Sequence, residues 1–566
     1  MTRVFNSAKI RIHRFALPFL AMLGLGIFPA SVSAKRSSKL GLMMERTLAT
    51  QKAAGKIVLI GEAFTYRKDV DSFYRSRDFR LAWNPNGKPV AGAWQLLEAA
   101  RASFKEGLNP ADYPIDAIDS LLGLSTRKYF WRTPLEPRSA VDLDLILTTT
   151  YLSFSTDLLS GRIRPKSMES VWHIYREPLD LSAYLNAALD EGGDIQESLA
   201  HLAPPQIEYG KLKYWLEAYR QRELHGGWAR IPEGPVLGPG SQGPRVAMLC
   251  RRLQSEGYAP WEDCPETFTP ALGEAVKKFQ STHGLEADGV TAAATLRELN
   301  VPVRVRINQI KLNLNCWRWL PQNLGSRHIR VNIADFRLAA FEKGSEALSM
   351  RVVVGRKEDS TPVFSDRAVA ISLNPSWNVP ADIAQEEMLP ELKKDPAYLA
   401  KHDMELLSDW SDAAKTVNPD SIDWSRIDSA SFRFRIRQKF GDASALGRLK
   451  IVLTNPFNIY LHDTPAKKYF ERNRRALSHG CVRLQDPVAL AAWIMGPGSK
   501  WDRDSLQAVI DKGDPVYVPV PDPGIPVHIL YWTAFVDKEG GMQFRSDVYG
   551  WEKRLEADML QTAGSR

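Results

Sequence analysis

The hydrophobic period of this 566-residue chain changes near residue 327, from a helical repeat to a strand alternation. Ahead of that point, residues 93–104 and 143–159 place apolar side chains at three- and four-residue steps, the mark of helices with one buried stripe. Beyond it, Ile329, Val331 and Ile333 alternate with polar residues, and a run through Ala340 and Phe341 turns at Lys343-Gly344 into residues 350–354. Residues 368–373, 450–454 and 458–462 read as further strands, interrupted by a charged, partly helical insertion at about 380–447. A chain of this length exceeds what one hydrophobic core serves, so the pattern predicts a multidomain α+β protein with a mainly β domain behind helical ones.

The boundaries follow from local composition. Residues 1–34 read as an export signal: Arg3, Lys9, Arg11 and Arg14 precede an uncharged apolar run at 15–28, and Val32-Ser33-Ala34 offers a small-residue cleavage site. That run is shorter than the roughly 20 residues a bilayer span needs, an uncleaved anchor being the alternative. Residues 35–55 are polar and read as a flexible lead-in, 56–235 as a helical scaffold domain, and the Pro- and Gly-rich stretch 232–243 as a linker. A compact three-helix unit follows at 240–302: Val246, Leu249 and Leu253 share one face, Leu272, Val276 and Phe279 mark a second helix, and Gly284 to Gly289 form a turn. The sheet domain spans 328–520, and 521–566 is expected to pack on the scaffold and the sheet domain as an extension.

The formal charge is +8, of which the leader contributes four; +4 over the remainder is not the footprint of a nucleic-acid binder. Four cysteines, Cys250, Cys264, Cys316 and Cys481, sit in a chain bound for an oxidising compartment. Cys250 with Cys264 would close a short loop, while four free thiols is the other reading.

The chemistry concentrates between His462 and Arg483. His462 ends a strand before the turn Asp463-Thr464-Pro465, and Cys481 stands in Ser478-His479-Gly480-Cys481-Val482-Arg483, just ahead of a helix opened by Asp486-Pro487. An ordinary thiol is only a few per cent ionised at neutral pH, so a nucleophilic cysteine needs a base, and His462 is the candidate. Gly480 allows close backbone approach, amides around Gly480 and Cys481 would face an oxyanion, and Arg483 would favour a thiolate or hold a substrate carboxylate. A zinc site from His462, Asp463, His479 and Cys481 is the competing reading, disfavoured by the two-residue step between His479 and Cys481.

These residues, in Ile459-Tyr460-Leu461-His462-Asp463-Thr464-Pro465 and Arg475-Ala476-Leu477-Ser478-His479-Gly480-Cys481-Val482-Arg483-Leu484, resemble the signature of the L,D-transpeptidase (YkuD-like) family in its large periplasmic form. Phe73-Tyr74, Ala82-Trp83 and Gly107-Leu108-Asn109-Pro110 are similar to the family's scaffold. Phe279-Gln280 with Asp288-Gly289 resembles a peptidoglycan-binding three-helix domain, and Trp317-Arg318-Trp319-Leu320-Pro321 the lead-in to the sheet. The resemblance implies that Cys481 attacks the L-centre carbonyl of diaminopimelate in a tetrapeptide stem, releasing D-alanine. His462 would serve as proton acceptor and donor, and the thioester would pass to a neighbouring stem's amine as a 3→3 cross-link. It further implies that Ser478, His479 and Gly480 shape the oxyanion side and that Arg483, Tyr460 and Trp377 touch substrate. The insertion would cap the cleft, carbapenems would acylate Cys481, peptidoglycan synthases would be possible partners, and no cofactor or metal would be required. Gly441-Asp442-Ala443-Ser444 and Ala292-Ala293 depart from the family pattern, at the cap and in the three-helix unit.

Overall fold

A computed structural model describes residues 38–563, except 60–61, 66, 127–133, 164–167, 169–170, 175, 191 and 261. The export signal expected at 1–34 lies outside the described residues. No described helix is long and apolar enough to cross a membrane.

Of the lead-in expected at 35–55, the described part is largely helical. Ser38 caps helix α1 (Lys39–Ala53), its hydroxyl accepting from the Gly41 amide, and the helix buries Met44 and Leu48 in the scaffold core. Two apolar residues at a four-residue step suffice to dock a helix, and the basic residues around them hid the stripe. The centre of the scaffold is α2 (Pro137–Ser160). Its buried Asp144 accepts from the Tyr74 hydroxyl at 2.8 Å and from the amides of Ala82, Trp83 and Asn84 at 3.0, 2.8 and 3.1 Å. The Phe73-Tyr74 and Ala82-Trp83 pairs are thus the partners of one buried carboxylate, which burial raises to about 6. Helix α3 (Ile207–Leu224) carries the chain from the scaffold to the linker.

The three-helix unit comprises α4 (Pro244–Gln254), α5 (Pro270–Thr282) and α6 (Ala293–Leu299) around Leu249, Val276 and Phe279. The Gln280 side chain pins the turn before α6: it accepts from the Gly289 amide at 2.8 Å and donates to the Val290 carbonyl at 2.9 Å. Cys250 and Cys264 are joined in a disulfide; Cys316 and Cys481 are free. Helix α7 (Val303–Arg318) then runs through the junction of the units. Trp317 stacks on Trp532 at 4.3 Å, Arg318 donates to the Tyr209 hydroxyl at 2.8 Å, and the Trp319 indole donates to the Ile163 carbonyl at 3.0 Å. The Trp-Arg-Trp run is a three-way tie between scaffold, α7 and sheet.

The sheet domain is built from β1 (Arg327–Asn332), β2 (Arg337–Glu342), β3 (Ser345–Gly355), β4 (Val363–Leu373), β5 (Leu449–Leu453), β6 (Leu461–His462), β7 (Val482–Leu484), β8 (Val516–Pro519) and β9 (Ile525–Leu530). Pairing runs β5-β6-β7-β3-β2-β1-β9-β4, and β4 pairs back to β5, so the strands close on themselves. Closure leaves these eight strands without a free edge and separates an inside from an outside. Ile329, Val352, Ile451, Leu461, Val482 and Ile529 are fully buried in the core. Strand β9 corrects the expected boundary at 520. It lies between β1 and β4, parallel to the first and antiparallel to the second, and is part of the barrel rather than an extension packed against it. Its proline, Pro526, masked the alternation.

The insertion is partly helical, as expected, and forms a small domain with a core of its own. Four short strands, ordered Thr416–Val417, Met404–Leu407, Arg435–Gln438 and Trp377–Asn378, join short helices around Leu392, Leu406, Trp424 and Ile436.

Candidate active site

The site follows from strand alternation. Strands β6 and β7 run parallel with Leu461 opposite Val482 and His462 opposite Arg483. Leu461, Val482 and Leu484 are fully buried in the barrel core, so Tyr460, His462, Cys481 and Arg483 project outward on the other face. On the neighbouring β5, Lys450 stands opposite His462 and joins the same row.

Cys481 is half-buried, its sulfur 3.6 Å from the Asn458 carbonyl. Burial pushes its thiol above its ordinary value, against the opposing pull of the Tyr460 backbone and hydroxyl and of the Lys450 and Arg483 charges. The Tyr460 hydroxyl acts on the thiol and also meets the Trp377 side chain, so two residues singled out from sequence belong to the surroundings of the sulfur. His462 is 4% exposed, and burial, aided by the Arg483 guanidinium, lowers it to about 3 against the Asp463 and Leu446 backbones. It is therefore a neutral imidazole at physiological pH, with a buried Nδ1 that forms no hydrogen bond. Burial thus favours the uncharged form of both the imidazole and the thiol.

The turn before Cys481 is braced on every side. Ser478 donates to the Cys481 carbonyl at 2.6 Å and accepts from the Gly480 amide at 3.2 Å. The Gly480 amide, expected to face an oxyanion, is thus taken by Ser478, while the Cys481 amide has no acceptor among the described residues. Gly480 sits at φ +109°, where a Cβ would come within 3.2 Å of Ile459, so the turn requires glycine. Thr361 donates to the Gly480 carbonyl at 2.6 Å and accepts from the Gly355 amide at 2.8 Å. Tyr549 donates to the Gly355 carbonyl at 2.6 Å. Asp486 caps the following helix, α8 (Pro487–Met495), through the Ala489 amide at 3.0 Å.

His479 is engaged by the insertion. Its Nε2 lies 2.6 Å from Glu387 of the insertion, and Arg356 reaches the same carboxylate at 3.3 Å. Although partial burial opposes ionisation, the His479 hydrogen bond and the Arg356 charge hold Glu387 below its ordinary value. Asp463 pairs with Lys467 at 2.6 Å and accepts from the Arg448 amide at 2.9 Å. The four groups considered for zinc are therefore engaged separately, and no group of three or more ligating side chains occurs among the described residues. Sequence reasoning brought together Cys481, His462, Tyr460, Trp377, Ser478, Gly480 and Arg483. It missed Lys450, Thr361 and Glu387, since a strand lysine, a loop threonine and an insertion glutamate read as solvated surface.

Three domain families match the chain: a scaffold domain over 68–216, a "Putative peptidoglycan binding domain" over 242–299 and an L,D-transpeptidase catalytic domain over 326–518. A curated Haemophilus influenzae protein described as "Putative L,D-transpeptidase" is 33% identical over 261 residues, 46% of this chain and 50% of its own length. The chain thus spans about half the length of that relative. Among solved structures, an L,D-transpeptidase from Stackebrandtia nassauensis is 12% identical over 53% of this chain and 96% of its own, with a TM-score of 0.20. One from Xylanimonas cellulosilytica is 16% identical over 53% and 98%, with a TM-score of 0.18. Scores this low add nothing to the fold argument.

Proposed function

We propose, for a chain that carries the L,D-transpeptidase catalytic domain behind a scaffold domain and a peptidoglycan-binding-type domain, that Cys481 and His462 carry out acyl transfer between peptidoglycan stem peptides outside the cytoplasm. The observation that carries the reading is the shared outward row of Tyr460, His462, Cys481 and Arg483 beside a small capping domain. His462, held neutral, takes the thiol proton as sulfur attacks the L-centre carbonyl of diaminopimelate in a tetrapeptide stem. The Cys481 amide stabilises the developing oxyanion. Collapse of the tetrahedral species returns the proton to the departing D-alanine amine and leaves a thioester. The side-chain amine of a second stem then attacks that carbonyl, His462 takes its proton, and the thiol leaves with a 3→3 amide formed.

Incubation of the reduced protein with a diaminopimelate tetrapeptide muropeptide, read by mass spectrometry, tests this. Cross-linked dimer with loss of D-alanine is expected, and Cys481→Ala abolishes it. Tripeptide alone would make water the acceptor and the enzyme an L,D-carboxypeptidase. No change, with the thiol shown to be free, would leave a non-catalytic wall-binding scaffold. A carbapenem is expected to add covalently to Cys481 and not to Cys481→Ala.

A further inference from the structure

Two cations act on the thiol, and among the described residues neither forms an ion pair with a carboxylate. Lys450 on β5 and Arg483 on β7 stand on either side of His462 in one register row, which at the usual strand spacing separates their backbones by roughly 10 Å. Lys450 is half-buried with its ammonium 4.0 Å from the Tyr460 ring centroid. Among the described residues the only opposite charge acting on it is that of an ionised Cys481. Arg483 is likewise half-buried, with a buried Nε that finds no acceptor. Other half-buried or buried arginines are compensated, Arg330 by Glu208, Arg545 by Asp335 and Arg475 by the Val352 and Phe336 carbonyls. A partly desolvated cation without a counter-charge is costly, and that cost is recovered when an anion binds.

We propose that Lys450, across His462 from Arg483, forms a carboxylate-binding subsite beside the thiol, so that the site favours acyl donors bearing a free carboxylate near the reacting carbonyl over the matching carboxamides. The proposal rests on the acyl-transfer reading for its natural ligand, a stem peptide with a terminal and a side-chain carboxyl. The charge preference itself is testable without turnover.

Iodoacetate and iodoacetamide differ only in carboxylate against carboxamide and both alkylate Cys481. The ratio of their rates at pH 8.5, normalised to the same ratio for a free small thiol, reads the subsite directly. In Lys450→Met and Lys450→Gln the ratio is expected to fall about tenfold, the Coulomb effect of one charge at a half-buried site. Lys450→Arg is expected to keep it. A ratio unchanged in both neutral variants overturns the proposal, and if both reagents slow equally Lys450 serves the thiolate instead. Tetrapeptides amidated at the terminal or at the side-chain carboxyl then locate the carboxylate. A penalty in the wild type that vanishes in Lys450→Met assigns it; equal penalties in both proteins refute the subsite. Absence of turnover on every peptide would count against the acyl-transfer reading alone, leaving the alkylation ratio to judge the subsite.

Discussion

The charge state of the Cys481–His462 pair makes the most exacting prediction. With burial pushing the thiol above its ordinary value, the protonated thiol dominates at pH 7. With His462 lowered to about 3, no imidazolium forms beside it anywhere in the physiological range. Alkylation of Cys481 by neutral iodoacetamide should therefore climb about tenfold per pH unit from pH 6 to 9, with no plateau. His462→Gln should change that alkylation by less than about threefold, because an external electrophile reacts with thiolate however it arises. Acyl transfer in the same variant should fall about 10²–10⁴-fold, the usual scale for losing a general base. Quenched-flow mass spectrometry on the intact protein measures both. A plateau of reactivity between about pH 5 and 8, or a loss of alkylation in His462→Gln as large as the loss of acyl transfer, would reveal a thiolate–imidazolium pair and refute the reasoning.

Three further outcomes follow from packing. Gly480→Ala forces a left-handed alanine against Ile459 and should cost about 1–3 kcal/mol in chemical denaturation, with a loss of acyl transfer above about tenfold as the turn shifts. His283, buried between Phe279 and Phe544, is lowered to about 3 chiefly by burial. A histidine depressed in the folded state loses stability as pH falls below its unfolded value near 6.5. The stability gap between wild type and His283→Phe should therefore move by about 2 kcal/mol toward the variant from pH 7 to pH 5, measured by urea melts. Opening the Cys250–Cys264 loop with paired serines should lower the stability of the three-helix unit by about 3 kcal/mol, seen as earlier loss of hydrogen-exchange protection there.

What the sequence disclosed depended on whether a residue's partner lies nearby in the chain. The helix opened by Asp486-Pro487, the turn at Gly284–Gly289 and the alternation through Ile329 and Ile451 are local patterns, and they were legible. The strand-end position of His462 was legible too, but the strand Val482–Leu484 that sets Cys481 and Arg483 in a row with it was not, because three residues leave no readable alternation. The position of Ile525–Leu530 was not, since a strand pairing with residues almost two hundred positions away leaves no local trace, and Pro526 broke its pattern. Helix α1 was missed because Met44 and Leu48 gain meaning only against a scaffold core assembled from 73–202. Lys450 looked like any outward strand lysine until Tyr460 and Cys481 stood beside it.

If Cys481 is the nucleophile proposed above, the brace on its turn has a consequence for when activity can begin. Cys481 is placed by Gly480, Gly480 by Thr361, and Thr361 sits on Gly355, which Tyr549 holds from 68 residues downstream of the thiol. The barrel that aims the row outward does not close until residues 525–530 slot between β1 and β4. Pairings that distant form late in folding. A chain that has folded only as far as its own nucleophile therefore holds a loose, unaimed cysteine, and the fold acts as its own timing device: reactivity arrives with the closing strand, after the three-helix unit and scaffold that precede it have had time to settle.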